Sequence, residues 1–214
     1  MSGSIPRFPG KRTFRTELDK RYGRERAAQL MRRAEEHWRA LYPERPALGN
    51  AAMQKNHLEN SILPAISLYR GLLEADVERG EALDVMRQVL METVRGRRDF
   101  VTWMAKYPFF FYVFRRILRI GFPLVYPPAG FRTEWVEDSP RCIAFNVYTC
   151  IFHTLLVRYG VPELTTAFCD SDDIYSDILP RDVRFTRTQT LGHGGTHCDF
   201  RYERTKPVGE VDSP

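Results

Sequence analysis

The run Phe131-Arg132-Thr133-Glu134-Trp135-Val136-Glu137, the turn Ser139-Pro140 and the run Cys142-Ile143-Ala144-Phe145-Asn146-Val147-Tyr148 decide the fold. The first run alternates apolar and polar side chains, as a half-buried strand does. The second is more continuously apolar and sets one amide, Asn146, among apolar neighbours. Together they read as an antiparallel hairpin. Toward the C-terminus, residues 183–190 alternate as a third strand and residues 196–203 form a fourth, which makes a second hairpin of the same sheet. Between the hairpins, residues 149–159 read as a short helix closed by Gly160, a residue type that ends helices. Pro162 opens another helical turn, which leads into Phe168-Cys169-Asp170.

Upstream of Gly121 the period changes to that of helices. Leu18, Tyr22, Ala27, Leu30, Met31, Ala34, Trp38 and Leu41 recur at three- and four-residue steps and predict a helix over 15–41. A second helix is expected over 51–75, kinked or split by Pro64, which lacks a donor and clashes with the preceding turn. A third is expected over 80–94. The basic run Arg95-Gly96-Arg97-Arg98 then reads as a stop before an aromatic helix over 100–119. Residues 1–12 and 205–214 read as flexible tails. The fold class is α+β: a helical N-terminal half packed on a C-terminal antiparallel sheet of about four strands, one domain over residues 13–204.

Composition narrows the function. The chain has 214 residues, 43% hydrophobic and 13% aromatic, which describes a globular protein. Its net charge of +5 arises from 32 basic residues offset by 27 acidic ones, a weak pull toward anionic ligands. No nucleic-acid-binding motif is present. The most apolar stretch, 108–123, is interrupted by Arg115, Arg116 and Arg119, so stable membrane insertion is not expected. A buried helix whose arginines face water is the favoured reading there, against a basic amphipathic helix lying on a membrane. The opening Met1-Ser2-Gly3-Ser4-Ile5-Pro6 has no apolar core of the signal-peptide kind, which sets a cytoplasmic expectation with reduced cysteines.

Chemistry concentrates in Thr190-Leu191-Gly192-His193-Gly194-Gly195-Thr196-His197-Cys198-Asp199-Phe200. Gly194 and Gly195 permit a tight turn or the close approach of a ligand. Cys198 is the first candidate nucleophile and Asp199 the alternative base. The two alternate along one strand, so both enter a single pocket only if a bulge intervenes. Asn56, His57 and Glu59 lie just before Pro64, and His57 is a candidate general base. Arg70 and Arg187 are candidates for holding a carboxylate. Asp170, Asp172 and Asp173 form an acidic cluster that suits a cap, a cation or a base. Cys150, Cys169 and Cys198 are the candidates for zinc, but no C-x-x-C spacing supports them, and no metal or cofactor is expected. Cys150 follows a strand and begins a helix, where the helix dipole lowers a thiol pKa.

Four blocks make the chain resemble the L-2-amino-thiazoline-4-carboxylic acid hydrolase family. They are residues 56–70 (Asn56-His57-Leu58-Glu59 through Ile62-Leu63-Pro64-Ala65-Ile66-Ser67-Leu68-Tyr69-Arg70), and Phe145-Asn146-Val147-Tyr148-Thr149-Cys150 with Gly160-Val161-Pro162-Glu163-Leu164. The others are Phe168-Cys169-Asp170 with Asp172-Asp173, and Phe185-Thr186-Arg187-Thr188-Gln189-Thr190-Leu191 running into Gly194-Gly195-Thr196-His197-Cys198-Asp199-Phe200. The resemblance implies a hydrolase of cyclic carbon–nitrogen bonds in a small molecule that bears a carboxylate. The namesake activity opens a thiazoline ring to a carbamoyl-cysteine. On this reading Cys198 or Asp199, with His57, does the chemistry, and Asn146, Tyr148, Arg187, Gly194 and Gly195 bind the substrate. Two rivals stay open: a cyclase, isomerase or dehydratase of secondary metabolism on the same scaffold, and a small-ligand-binding module. The oligomeric state also stays open.

Overall fold

The computed structural model describes residues 4–205. The tail expected over 205–214 falls, beyond Thr205, outside the described residues. The chain divides into two compact units: one formed by residues up to Val94 together with Phe152–Ser171, the other by Arg95–Ile151 with the residues from Asp172 onward.

The first unit is helical. Helix α1 (Lys11–Leu41) buries Leu18, Ala27, Leu30, Met31, Ala34 and Trp38, the stripe its period predicts, and is interrupted only at Gly23, where φ is 75°. The residues before it are packed rather than free. Phe8 is buried against Phe14 and Trp38, with ring centroids 5.5 and 5.7 Å away. Trp38 Nε1 donates to the Pro6 carbonyl at 3.0 Å. Three rings that bury together tie down a segment whose Pro- and Gly-rich composition suggested a tail.

Pro64 splits the second helix as expected, and it does so by widening the turn. Residues Met53–Ile62 form a π-helix, and α2 (Leu63–Glu74) continues from it with Pro64 in its first turn. Leu63 N–H donates to the Leu58 carbonyl, five residues back. The wider turn accommodates a ring that has no donor and would collide with the carbonyl four residues before it. Helix α3 (Arg79–Thr93) is capped by Glu78, whose carboxylate accepts from Glu81 N–H at 3.0 Å.

Helices α1 and α2 touch at Gly71. A Cβ built there would stand 2.9 Å from the Ala34 backbone nitrogen. Backbone atoms cannot yield as a flexible side chain can, so Gly71→Ala forces the helices apart. The expected cost is about 1–3 kcal/mol, read as a lower urea midpoint at unchanged slope.

The second unit carries the sheet. Residues 95–98 open a helix instead of stopping one: α4 covers Arg95–Met104 and α5 covers Phe110–Val125. Pro108 accounts for the break between them, because the residue before a proline is pushed out of helical geometry. Strands β1 (Phe131–Asp138), β2 (Cys142–Cys150), β3 (Val183–Thr186) and β4 (Cys198–Arg204) form one antiparallel sheet in the order β1-β2-β4-β3. The α+β reading and both hairpins therefore hold. Between β2 and β3 run α6 (Ile151–Arg158), α7 (Leu164–Asp170) and the single turn α8 (Tyr175–Ile178).

One face of the sheet is aromatic. Phe145 and Phe200 stack with centroids 5.0 Å apart, Phe185 stacks on Tyr202 at 4.9 Å, and Phe114 and Phe122 of α5 close on Tyr202 and Phe145. The opposite face is polar. There Arg201 pairs with Glu137 and Glu203, and Arg132 lies over the Tyr148 ring. Helix α5 departs from expectation. It buries Phe110, Phe111 and Phe114 but leaves Tyr112, Ile117, Ile120 and Leu124 exposed beside Arg116. Among the described residues no helix is long and apolar enough to cross a membrane.

Candidate active site

The aromatic face of the second unit carries a poorly solvated ionic cluster. Arg187 continues the β3 line two residues beyond Phe185, and its guanidinium lies 5.5 Å above the Phe200 ring. Only 6% of its side chain is exposed. It donates to Asp172 Oδ2 at 3.5 Å and to Asp173 Oδ1 at 2.5 Å. From α4, Arg97 Nη1 donates to the Tyr126 hydroxyl at 3.2 Å, and its guanidinium stands 5.8 Å from the Tyr175 ring. Tyr175 in turn packs edge-on against Phe185 and Tyr202.

The charges shape one another. Burial pushes the Asp172 carboxyl up to about 6, against the pull of Arg97 and Arg187. Desolvation of a carboxylate is costly enough to outweigh two nearby cations. Yet 29% of the Asp172 side chain is exposed, so the group is reachable as well as poorly solvated. Burial works against the Arg97 charge too, but Tyr175, Tyr126 and Asp172 outweigh it and hold the guanidinium protonated. Burial raises the phenol of Tyr175 to about 12 and raises those of Tyr126 and Tyr202. At neutral pH all three are hydrogen-bond donors.

These groups are underused as hydrogen-bonding partners. Among the described residues, the Arg97 guanidinium makes one hydrogen bond from its five N–H donors, and the Asp172 carboxylate accepts only from Arg187. Both side chains are part-buried, with 29% of Asp172 exposed, so their remaining polar atoms can meet water or a ligand. Their spare capacity, on one side of an aromatic floor, suits an anionic ligand and a proton to be moved.

Cys150 belongs to the same face because of a bulge. Arg132 pairs with Thr149 but Thr133 pairs with Val147, which leaves Tyr148 as an extra residue in β2. The insertion turns Cys150 to the side of Phe131 and Val147. Its thiol is close enough to Tyr126 to contribute to the raised phenol pKa. Tyr126 also walls a shallow groove of about 190 Å³ formed with Phe122, Phe131 and Trp135.

Of the residues singled out from sequence, Arg187, Asp172 and Asp173 enter this cluster, and the others do not. Cys198 is buried on the aromatic face, where its Sγ accepts from Leu191 N–H at 3.3 Å. Asp199 points to the polar face, as strand alternation requires. Its carboxylate accepts from Thr188 N–H at 2.9 Å, Gln189 N–H at 2.8 Å and the Thr188 hydroxyl at 2.7 Å. Asn146 and Tyr148 lie on that polar face too, 3.3 Å apart, with the Tyr148 ring against His197. Gly194 has φ 82° and closes the turn at Leu191–His193. A Cβ on Gly195 would meet the Thr190 carbonyl at 2.9 Å. The loop's own path thus requires both glycines.

His57 lies in the first unit, on the π-helix, buried edge-on to Phe152 at 5.3 Å. Its neighbour Glu59 bonds Arg45 at 2.8 Å, Gln54 at 3.1 Å and Tyr42 at 3.3 Å. Arg70 donates to the Tyr159 carbonyl at 2.5 Å, and Asp170 accepts from Arg87 at 2.8 Å. Cys169 is in the first unit, Cys150 and Cys198 in the second. Among the described residues no group of three or more His, Cys, Asp or Glu side chains is arranged to hold a metal ion. Arg97, Tyr126, Tyr175 and Tyr202 carried no flag in the sequence. Arg97 sat in a run read as a helix stop and Tyr126 in a proline-rich connection.

Burial alone would raise the Asp199 carboxyl, but the bonds from Thr188 and Gln189 win and hold it below the usual range. A depressed carboxyl stabilises the fold above its unfolded pKa and loses that contribution as pH falls through the folded value. Asp199→Ala is therefore expected to cost about 1–3 kcal/mol at pH 7. The gap to the parent protein should narrow below about pH 4. Urea unfolding at a series of pH values checks this.

No curated protein matches the chain. A solved structure described as the Fe(II) unliganded H-NOX protein from K. algicida aligns over 94% of this chain and 98% of its own, at 9% identity and a TM-score of 0.38. The sequence model of the L-2-amino-thiazoline-4-carboxylic acid hydrolase family matches residues 12–202. The match spans nearly the whole chain, and the protein belongs to that family.

Proposed function

We propose that the protein hydrolyses a cyclic carbon–nitrogen bond in a small molecule that bears a carboxylate, at the Arg97–Asp172–Tyr175 cluster. The observation that carries the reading is the part-buried Arg97 guanidinium, which holds a single protein hydrogen bond beside a carboxyl whose pKa burial raises to about 6. Arg97 takes the substrate carboxylate through its spare donors, in the paired geometry a guanidinium favours. Asp172, ionised above about pH 6, accepts a proton from water as that water attacks the amidine or imine carbon. The tetrahedral adduct then collapses: its added oxygen becomes a carbonyl as the bond to the ring nitrogen breaks, and the hydroxyl proton is released to solvent. The phenol of Tyr175 or Tyr126, still protonated at neutral pH, supplies the proton to the leaving group. Asp172 returns its own proton to restore the phenol. Family membership supports a hydrolase of this general kind.

Cys198, Asp199 and His57 enter as alternatives to this assignment, Cys198 or Cys150 as a thiol nucleophile in place of water. A second reading, a cyclase or isomerase, draws on the aromatic floor of Phe145, Phe200 and Phe185, which suits a larger apolar substrate. The mass of the product separates the two, because hydrolysis adds one water.

The test is turnover of L-2-amino-thiazoline-4-carboxylate and a panel of cyclic amidines, followed by mass spectrometry. Asp172→Asn should lower kcat by about 100-fold or more. Arg97→Gln should chiefly raise KM. For the parent protein kcat/KM should rise with pH through about 6 and then level, since the base works only when ionised. Full activity in Asp172→Asn with loss in Cys198→Ala or Cys150→Ala would move the chemistry to a thiol.

A further inference from the structure

Among the described residues, nine of the twelve large apolar side chains that stand exposed lie between residues 100 and 125. Phe100, Trp103, Tyr107 and Phe109 form a continuous ladder of rings across the α4–α5 connection, with centroids 5.3–6.1 Å apart. Tyr112, Ile117, Ile120, Leu124 and Val125 extend it along α5, and Leu124 is 72% exposed. A monomer in water seldom leaves so much apolar surface contiguous without a use for it.

The charges around the ladder are predominantly basic. Residues 95–125 hold seven basic side chains against the single acidic Asp99, so this segment alone accounts for the whole chain's excess of +5. Arg98, Lys106 and Arg116 are exposed among the rings. Arg115 and Arg119 reach Asp138 at 3.4 and 3.5 Å, and Arg119 also lies over Trp135.

We propose that the α4–α5 face is a docking surface for an anionic lipid membrane, on which the protein lies without spanning it. Trp and Tyr seat at the level of lipid headgroups, Ile and Leu enter the acyl boundary, and Arg and Lys meet the anionic headgroups. A twofold contact with a second copy would bring Arg98, Lys106 and Arg116 against like charges on the same face, which disfavours that occupant. This proposal is independent of the hydrolytic reading.

Co-sedimentation of the full chain with phosphatidylcholine vesicles, with and without phosphatidylserine, tests it. Binding to the anionic vesicles should exceed binding to the neutral ones by about tenfold or more and should fall as salt screens the headgroups. The double variant Trp103→Ser/Leu124→Ser, altered only at exposed positions, should lose about tenfold in binding with an unchanged circular dichroism spectrum. Absence of sedimentation with both kinds of vesicle would overturn the proposal. So would a dimer in light scattering that Leu124→Ser dissolves, which would assign the face to a second copy.

Discussion

The placement of Asp172 between Arg97 and Arg187 is the constraint on which the second unit depends. A carboxylate part-buried here without a cation would shift further toward its neutral form, and a part-buried guanidinium gives up some of its hydration. Together they persist, and the imbalance between burial and attraction leaves the carboxyl near 6 instead of 4. The surrounding phenols stay protonated for the same reason, because the environment penalises any further negative charge. The proposed acid, base and anion anchor thus rest on one arrangement of charge over an aromatic floor.

The remainder of the sheet serves that arrangement. Asp199 fixes the backbone of Thr188 and Gln189 from the polar face, and the adjacent Arg187 is thereby aimed across Phe200 at Asp172. Gln189 in turn accepts from Thr196 N–H at 3.0 Å, and Gly195 packs too closely on Thr190 to admit a side chain. The Gly-rich run therefore acts through the path of the chain. The bulge at Tyr148 has a comparable effect on β2, since it brings Cys150 to the inner face while Tyr148 itself stays with His197 outside.

Much of the fold was legible because it rests on period. The α1 stripe, the two hairpins and the disruption at Pro64 all follow from local pattern and backbone chemistry. Arg187 and Asp172 also drew notice, the one as an anion holder and the other within an acidic cluster. Arg97 did not, because a part-buried arginine and a solvated one look alike in a basic run. The difference lies in α4 beginning at Arg95, which turns residue 97 inward. Tyr126 and Tyr175 escaped for a related reason: they sit at the end of α5 and in a single helical turn, where no periodicity marks a face. Cys198 and Asp199 drew attention through their chemical type, and the structure gives Asp199 a full set of backbone partners.

The central claim is that Asp172 is a base tuned by burial against two arginines. The most direct measurement is the titration of its side-chain carboxyl, followed by carbon NMR in the free protein and in Arg97→Gln. The account predicts a midpoint near 6 in the parent protein and a higher one when Arg97 is neutralised. A midpoint near the ordinary value of about 4, unmoved by the substitution, would contradict it.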